Sequence, residues 1–176
     1  VNGVWREGPG ADLFLSLERE FGALPLVAED LGTITPEVEA LRDRFGMPGM
    51  KILQFAFDGG PENPYLPVNH TQTAVVYTGT HDNDTTVGWF NGTGSDTRTE
   101  EEIEATRELV LERTGGSPET IHNDMIRLAF GSRSALAVAP MQDFLGLGSE
   151  ARLNTPGTTR DNWRWRVLPE QLTGNF

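Results

Sequence analysis

The 176-residue chain contains no cysteine, which removes disulfides, thiolate nucleophiles and cysteine-based zinc sites together and suits a reducing, cytoplasmic compartment. Basic residues are scarce. Lys and Arg number 14 against 26 Asp and Glu, a formal net charge of −12, so the chain repels nucleic-acid backbones and anionic membrane surfaces and more readily accepts a neutral substrate. Long apolar runs are missing as well: Ala135 to Met141 is among the longest, far short of the roughly 20 apolar residues of a membrane span, and no basic-plus-apolar leader opens the chain. Gly8-Pro9-Gly10, Gly59-Gly60 and Gly115-Gly116 lack the spacing of a phosphate-binding or dinucleotide fingerprint. The oxygen-rich His81-Asp82-Asn83-Asp84 lacks the spacing of an EF-hand loop. Neither a metal nor a cofactor is expected. The chain opens on Val1 rather than Met, so its true N-terminus is expected to lie upstream.

What the chain does have is organised around Ala74 to Thr85. Val75, Val76 and Tyr77 suit a strand buried on both faces, and the run breaks at Gly79 into wholly polar sequence. A strand that delivers His81 and Asp82 at its C-terminal end has the layout of an α/β active site, where ligands lie outside the carboxyl ends of parallel strands. An Asp-rich turn with capping side chains accounts for the same four residues.

Around it the pattern alternates. Leu13, Phe14, Leu17 and Phe21 recur at helical spacing and stop at Gly22, and Leu24 to Ala28 is a short apolar run suited to a parallel strand that ends in Glu29 and Asp30. Thr35-Pro36-Glu37 opens a second helix through Phe45. Lys51 to Phe57 is expected as a strand, followed by a long loop, Asp58 to Thr73, with three prolines. Beyond the central strand come two helices, one faced by Ile103, Thr106 and Val110, the other capped at Ser117 and faced by Ile121, Met125, Leu128 and Ala129. A fourth strand, Ala135 to Pro140, ends in Met141-Gln142-Asp143. Four strands with intervening helices predict a parallel α/β sheet. A complete (β/α)₈ barrel needs eight, so the expectation is half a barrel, an open doubly wound sheet being the alternative.

The chemistry gathers at strand ends. Glu29 and Asp82 would supply the two carboxylates that glycoside chemistry requires, one to protonate the leaving oxygen and one to bear on the sugar cation. An acidic turn capping the next helix explains Glu29-Asp30 equally well. His81, beside an acid at a strand end, is expected to contact ligand, whereas His70 and His122 read as a loop residue and a helix-surface residue. Trp5, Trp89, Trp163 and Trp165 are the type that stacks on sugars, but in Gly- and Pro-rich segments they serve as packing anchors too.

Six segments in one order, Gly3 to Gly10 (GVWREGPG), Ala28 to Val38 (AEDLGTITPEV), Met47 to Phe57 (MPGMKILQFAF), Tyr77 to Trp89 (YTGTHDNDTTVGW), Pro140 to Thr158 and Asn162 to Arg166 (NWRWR), resemble the 4-alpha-glucanotransferases, also called amylomaltases or disproportionating enzymes. The resemblance implies a (β/α)₈ barrel of the alpha-amylase clan, residues 1–176 being the C-terminal half of it with the N-terminal half absent. It also implies retaining transfer of α-1,4-glucan segments to glucose or maltodextrin acceptors. By the family's motifs, Glu29 would be the general acid/base and Asp82 the transition-state stabiliser, with His81 binding the same sugar and Asp30 the acceptor-side hydroxyls. The family's nucleophile lies in an Arg-x-Asp motif with no counterpart here, so the chain alone is expected to be inactive. Leu153, where the family pattern has Met, is a volume-conserving exchange. A hydrolase of the same clan and a non-catalytic glucan-binding fragment are the alternatives.

Overall fold

The computed structural model describes Val4, residues 6–93 and residues 96–172; Trp5, weighed above as an anchor or stacking residue, lies outside them. The chain divides into two compact units, Val1–Met50 and Lys51–Phe176.

The first unit holds two helices. α1 (Ala11–Phe21) ends where Gly22, at φ 75°, turns the chain and returns its N–H to the Glu18 carbonyl. α2 (Pro36–Arg44) starts as the sequence predicts, with Thr35 at the N-cap and Pro36 in the first turn. Phe14 of α1 meets Phe45 just past α2, ring centroids 5.0 Å apart. The segment Leu24 to Ala28, expected as a strand, joins no ladder. Pro25 has no N–H to donate, Leu26 bonds back to the Leu24 carbonyl, and Ala28 N–H reaches the Pro48 carbonyl at 2.8 Å as a single link.

The second unit begins within β1 (Gly49–Ile52) and carries a three-stranded sheet in the order β1, β2 (Ala74–Tyr77), β3 (Leu136–Val138), with β2 and β3 parallel and Val76 opposite Ala137. Three short strands thus stand among the described residues where four were expected. The predicted strand Lys51 to Phe57 starts two residues earlier and curls after Ile52 into a 3₁₀ turn at Leu53–Phe55, which buries Leu53 and Gln54. Between β2 and β3 run α3 (Thr86–Asn91), α4 (Glu100–Thr114) and α5 (Ile121–Phe130), and α6 (Met141–Phe144) follows β3. α4 opens on a reciprocal capping box between Thr99 and Glu102. α3, which the sequence reading leaves in a polar stretch, is a six-residue helix capped by the Thr85 hydroxyl and closed by left-handed Gly92. Gly88 obscures it. A Cβ there would stand 2.6 Å from Asp84 Oδ1, so packing demands the residue that weakens a helical pattern. α5 begins at Ile121, with Thr120 rather than the predicted Ser117 at its N-cap.

Val76 of β2, Val110 of α4, Ile121, Met125 and Ala129 of α5, and Leu53, Phe57, Leu66, Trp89 and Phe90 form one buried cluster. Each large member contributes about 1.5–3 kcal/mol by leaving water. At its polar end sits Asp143, 1% exposed. Its Oδ2 accepts from the Thr78 hydroxyl at 2.6 Å and the Thr86 hydroxyl at 2.9 Å, and its Oδ1 accepts from Thr86 N–H at 2.7 Å. The sequence reading placed Asp143 among polar groups at a strand's C-terminal end; the fold uses it internally, tying the residue after β2 to the start of α3.

The long loop between β1 and β2 is pinned by side chains. Asn63 Nδ2 donates to the Phe55 and Asp58 carbonyls, and Asn69 Nδ2 to those of Pro61 and Asn63. His70, expected as a plain loop residue, is buried, with Nε2 2.8 Å from the Tyr65 carbonyl and Nδ1 3.2 Å from the Ser134 hydroxyl. The neutral tautomer carrying its proton on Nε2 satisfies both contacts.

Two predictions follow from these buried polar groups. Asp143→Ala strands two fully buried hydroxyls and a backbone N–H at about 1–3 kcal/mol each, so the urea midpoint should fall by the equivalent of at least ~3 kcal/mol, and Asp143→Asn, which keeps the volume and one acceptor, by less; an unchanged midpoint in Asp143→Ala would remove the clamp from this account. Burial lowers the pKa of His70, against the hydrogen bond to Tyr65, from its ordinary 6.5. The unfolded chain therefore binds the proton more readily, so the neutral imidazole's contribution is fully present above pH 6.5 and is lost as pH falls below it. Urea midpoints between pH 5 and 8 should drop more steeply at the acid end for the native protein than for His70→Gln.

Candidate active site

Tyr77 ends β2, the buried Thr78 follows, and the chain then turns through Gly79 to Thr85 before entering α3. Gly79 packs so closely on Gln54 that a Cβ would lie 2.8 Å from its Nε2. Asn83 folds the turn with its own side chain: Oδ1 accepts from the Thr80 N–H at 2.9 Å and the Thr80 hydroxyl at 2.8 Å. Asp84 is likewise internal, its Oδ1 taking the Thr85 N–H and its Oδ2 the Ser149 hydroxyl at 2.6 Å. The turn reading of the His81-Asp82-Asn83-Asp84 stretch therefore holds for two of its residues. Asn83 and Asp84 build an Asx-type turn, and His81 and Asp82 stand outside it, each about half exposed, with Nε2 to Oδ1 at 3.4 Å.

The C-terminal segment closes on this pair. Asn154 Nδ2 donates to Asp82 Oδ1 at 2.6 Å, Arg152 donates to the Asp82 carbonyl at 2.7 Å, and the Trp163 ring lies 5.2 Å from the His81 ring. The Oδ2 of Asp82 accepts no hydrogen bond from the described residues. Beside it opens a cavity of about 340 Å³ lined by Phe55, Phe57, Trp89, Asp82, Asp84 and Arg152 among others. Arg98 shapes its wall: the guanidinium lies 5.3 Å from the Trp89 ring centroid and reaches Asp96 at 2.6 Å. That hydrogen bond, opposed by burial, holds the Asp96 carboxyl below its usual value. A second cavity of about 100 Å³ touches His81, Gln142 and Leu153. Ring faces beside carboxylate and amide acceptors suit a neutral polyhydroxylated ligand. No cluster of three metal-ligating side chains occurs among the described residues.

Glu29 and Asp30 belong to the first unit, His81 and Asp82 to the second. Glu29 is exposed at the end of the Leu24–Ala28 segment. Asp30 differs: its side chain is 7% exposed, Oδ2 pairs with Arg42 at 2.5 Å and Oδ1 takes the Met50 N–H at 2.7 Å. Gly49 is obligatory beside it, because a Cβ there would stand 2.9 Å from the Asp30 Cγ. Sequence reasoning passed over Arg152 and Asn154 and weighed Trp163 only as a stacking residue or a packing anchor. Their signal was present in the Asn154-Thr155-Pro156-Gly157-Thr158 turn and the Trp163-Arg164-Trp165-Arg166 cluster, but nothing in spacing says that either folds onto residue 82.

Comparison with known proteins assigns the chain to a family. A family model described as 4-alpha-glucanotransferase matches residues 1–171. The 4-alpha-glucanotransferase of Synechocystis sp. is 53% identical over 174 residues, covering 97% of this chain and 33% of its own length, and that of Thermus thermophilus is 51% identical over 175 residues, covering 98% and 34%. The solved structure of the amylomaltase from Streptococcus agalactiae in complex with acarbose superimposes with a TM-score of 0.85 at 34% identity, over 97% of this chain and 33% of that one. The chain thus spans about a third of the length of these relatives, and it belongs to the 4-alpha-glucanotransferase family.

Proposed function

We propose that this chain, within a protein of its relatives' full length, serves a retaining 4-alpha-glucanotransferase that moves α-1,4-glucan segments onto glucose or maltodextrin acceptors. The observation that carries the reading is Asp82, held through one oxygen by Asn154 in the turn after a buried strand, with its other oxygen accepting no hydrogen bond among the described residues and an aromatic-lined cavity beside it. Such a carboxylate is placed to grip sugar hydroxyls more tightly as the oxocarbenium ion develops. His81 binds the same sugar. Glu29, exposed, is the general acid/base. Asp30 has both oxygens engaged within the first unit, so in this proposal its part on the acceptor side is to hold the segment that presents Glu29. A bound sugar analogue in the Streptococcus agalactiae amylomaltase is in keeping with a carbohydrate ligand.

In the same proposal residues 1–176 are the C-terminal half of a (β/α)₈ barrel in a cytoplasmic enzyme. Sequential strand order with parallel pairing of β2 and β3 supports a barrel over a doubly wound sheet, whose order reverses at a switch point. No helix among the described residues is long and apolar enough to cross a membrane. The carboxylate nucleophile, about 5–5.5 Å from the acid/base in retaining enzymes, comes from the other part of the protein, and the 176 residues alone transfer nothing.

The test is substrate-dependent. In the full-length protein Glu29→Gln should lower transfer from maltotriose by about 10²–10⁴-fold and spare the loading step with maltosyl fluoride, whose leaving group needs no proton. Asp82→Asn should impair both donors alike. Equal sensitivity of both donors to Glu29→Gln would reverse the roles, and release of glucose with no longer oligomers would make the protein a hydrolase.

A further inference from the structure

The Asn162-Trp163-Arg164-Trp165-Arg166 motif is unaccounted for by the reading above, and its backbone is unusual. Asp161 at φ 62° and Trp163 at φ 63° are the non-glycine residues in the left-handed region among those described, a conformation that bulky side chains avoid and that persists where surrounding structure enforces it. The enforcement here is dense. Asn162 Oδ1 accepts the Thr155 N–H at 2.9 Å while its Nδ2 donates to the Thr158 carbonyl at 3.1 Å and the Thr158 hydroxyl at 3.0 Å. Trp163 is fastened at both ends of its peptide unit, its N–H donating to the Leu153 carbonyl at 2.7 Å and its carbonyl accepting from Arg166 at 3.0 Å. None of this buries the indole. Trp163 remains 52% exposed, so the usual reason for anchoring a tryptophan is missing.

What the anchored ring does touch is the imidazole of His81, at 5.2 Å and a 36° interplanar angle. His81 is itself half exposed, and its Nε2 stands 3.4 Å from Asp82 Oδ1, too far to lock the ring by itself. We infer that Trp163 is a positioning residue for His81: the strained, pinned loop holds the indole against one face of the imidazole, so that its nitrogen is presented to the sugar that Asp82 binds. The inference rests on the carbohydrate reading of Asp82 and adds a residue to it.

If Trp163 acts through His81, the two substitutions cannot be additive. In the full-length protein, with maltotriose as substrate, Trp163→Ala should lower kcat/KM on the order of 10- to 100-fold, the scale of a misplaced contact group. In a His81→Ala background the same change should cost less than about twofold. Trp163→Phe, which restores a ring face, should recover most of the loss, whereas Trp163→Leu, which restores bulk alone, should not; this pair decides the matter if the alanine variant does not fold. An equal fall in both backgrounds, or Leu performing as well as Phe, would overturn the inference. Sensitivity to Asp82→Asn and His81→Ala with indifference to Trp163→Ala would overturn it and leave the reading of the site standing, and indifference to all three would overturn both.

Discussion

One buried carboxylate fixes the geometry on which the site depends. Asp143 accepts from Thr78, the buried residue that follows β2, and twice from Thr86 at the first position of α3. The residues between those two threonines are the turn that carries His81 and Asp82. Both ends of the turn are therefore referred to the same group, and their separation is set by hydrogen bonds in a low-dielectric interior, where such bonds are strong and an unpaired partner is expensive. A desolvated anion here is tolerated because three donors converge on it. Deleting it would let both ends of the turn move.

The turn is then finished from a distant part of the sequence. Arg152, Asn154 and Trp163 arrive some 70 to 80 positions later and take hold, respectively, of the main chain of Asp82, its carboxylate and the neighbouring imidazole. Sequence reasoning located β2, the turn, the two long helices and the strand after them, because each carries a local signal: a β-branched run, a polar break, a 3.6-residue apolar stripe. It failed where a tertiary demand overrode the local one. Pro25 sits in an apolar run and denies it a ladder; Gly88 hides a helix because Asp84 and Ser149 leave no room for a side chain. His70 reads as an ordinary loop residue, and only the fold brings Tyr65 and Ser134 to its two nitrogens.

The distinction between the acids that the fold engages through both oxygens and the acid proposed to bind sugar was the least legible. Asp30, Asp84, Asp124, Asp143 and Asp82 are one residue type, and Asp143 follows an apolar strand just as Asp82 does. The coordinates separate them by what their oxygens do. Asp30 gives one oxygen to Arg42 and one to Met50 N–H; Asp84 gives one to Thr85 N–H and one to Ser149; Asp124 gives one to Arg127 and one to Thr120; Asp143 gives both to threonines. Asp82 gives one to Asn154.

Under the proposed function, that asymmetry would have a physical consequence for a carboxylate that meets a neutral sugar. An acid with both oxygens satisfied by protein would have to exchange existing hydrogen bonds for new ones, at little net gain. A wholly unheld acid would bring freely rotating oxygens and lose their freedom on binding, which weakens the contact again. Asn154 resolves the conflict by fixing the carboxylate plane through Oδ1, while Arg152 fixes the main chain beneath it, so Oδ2 meets ligand already oriented. Since the chain carries a net charge of −12, long-range attraction would do nothing to concentrate a neutral glucan at the proposed site. On that reading recognition would come from short-range orientation of this kind, and the supporting residues Asn154, Arg152 and Trp163 would bear on it as directly as the acid they hold.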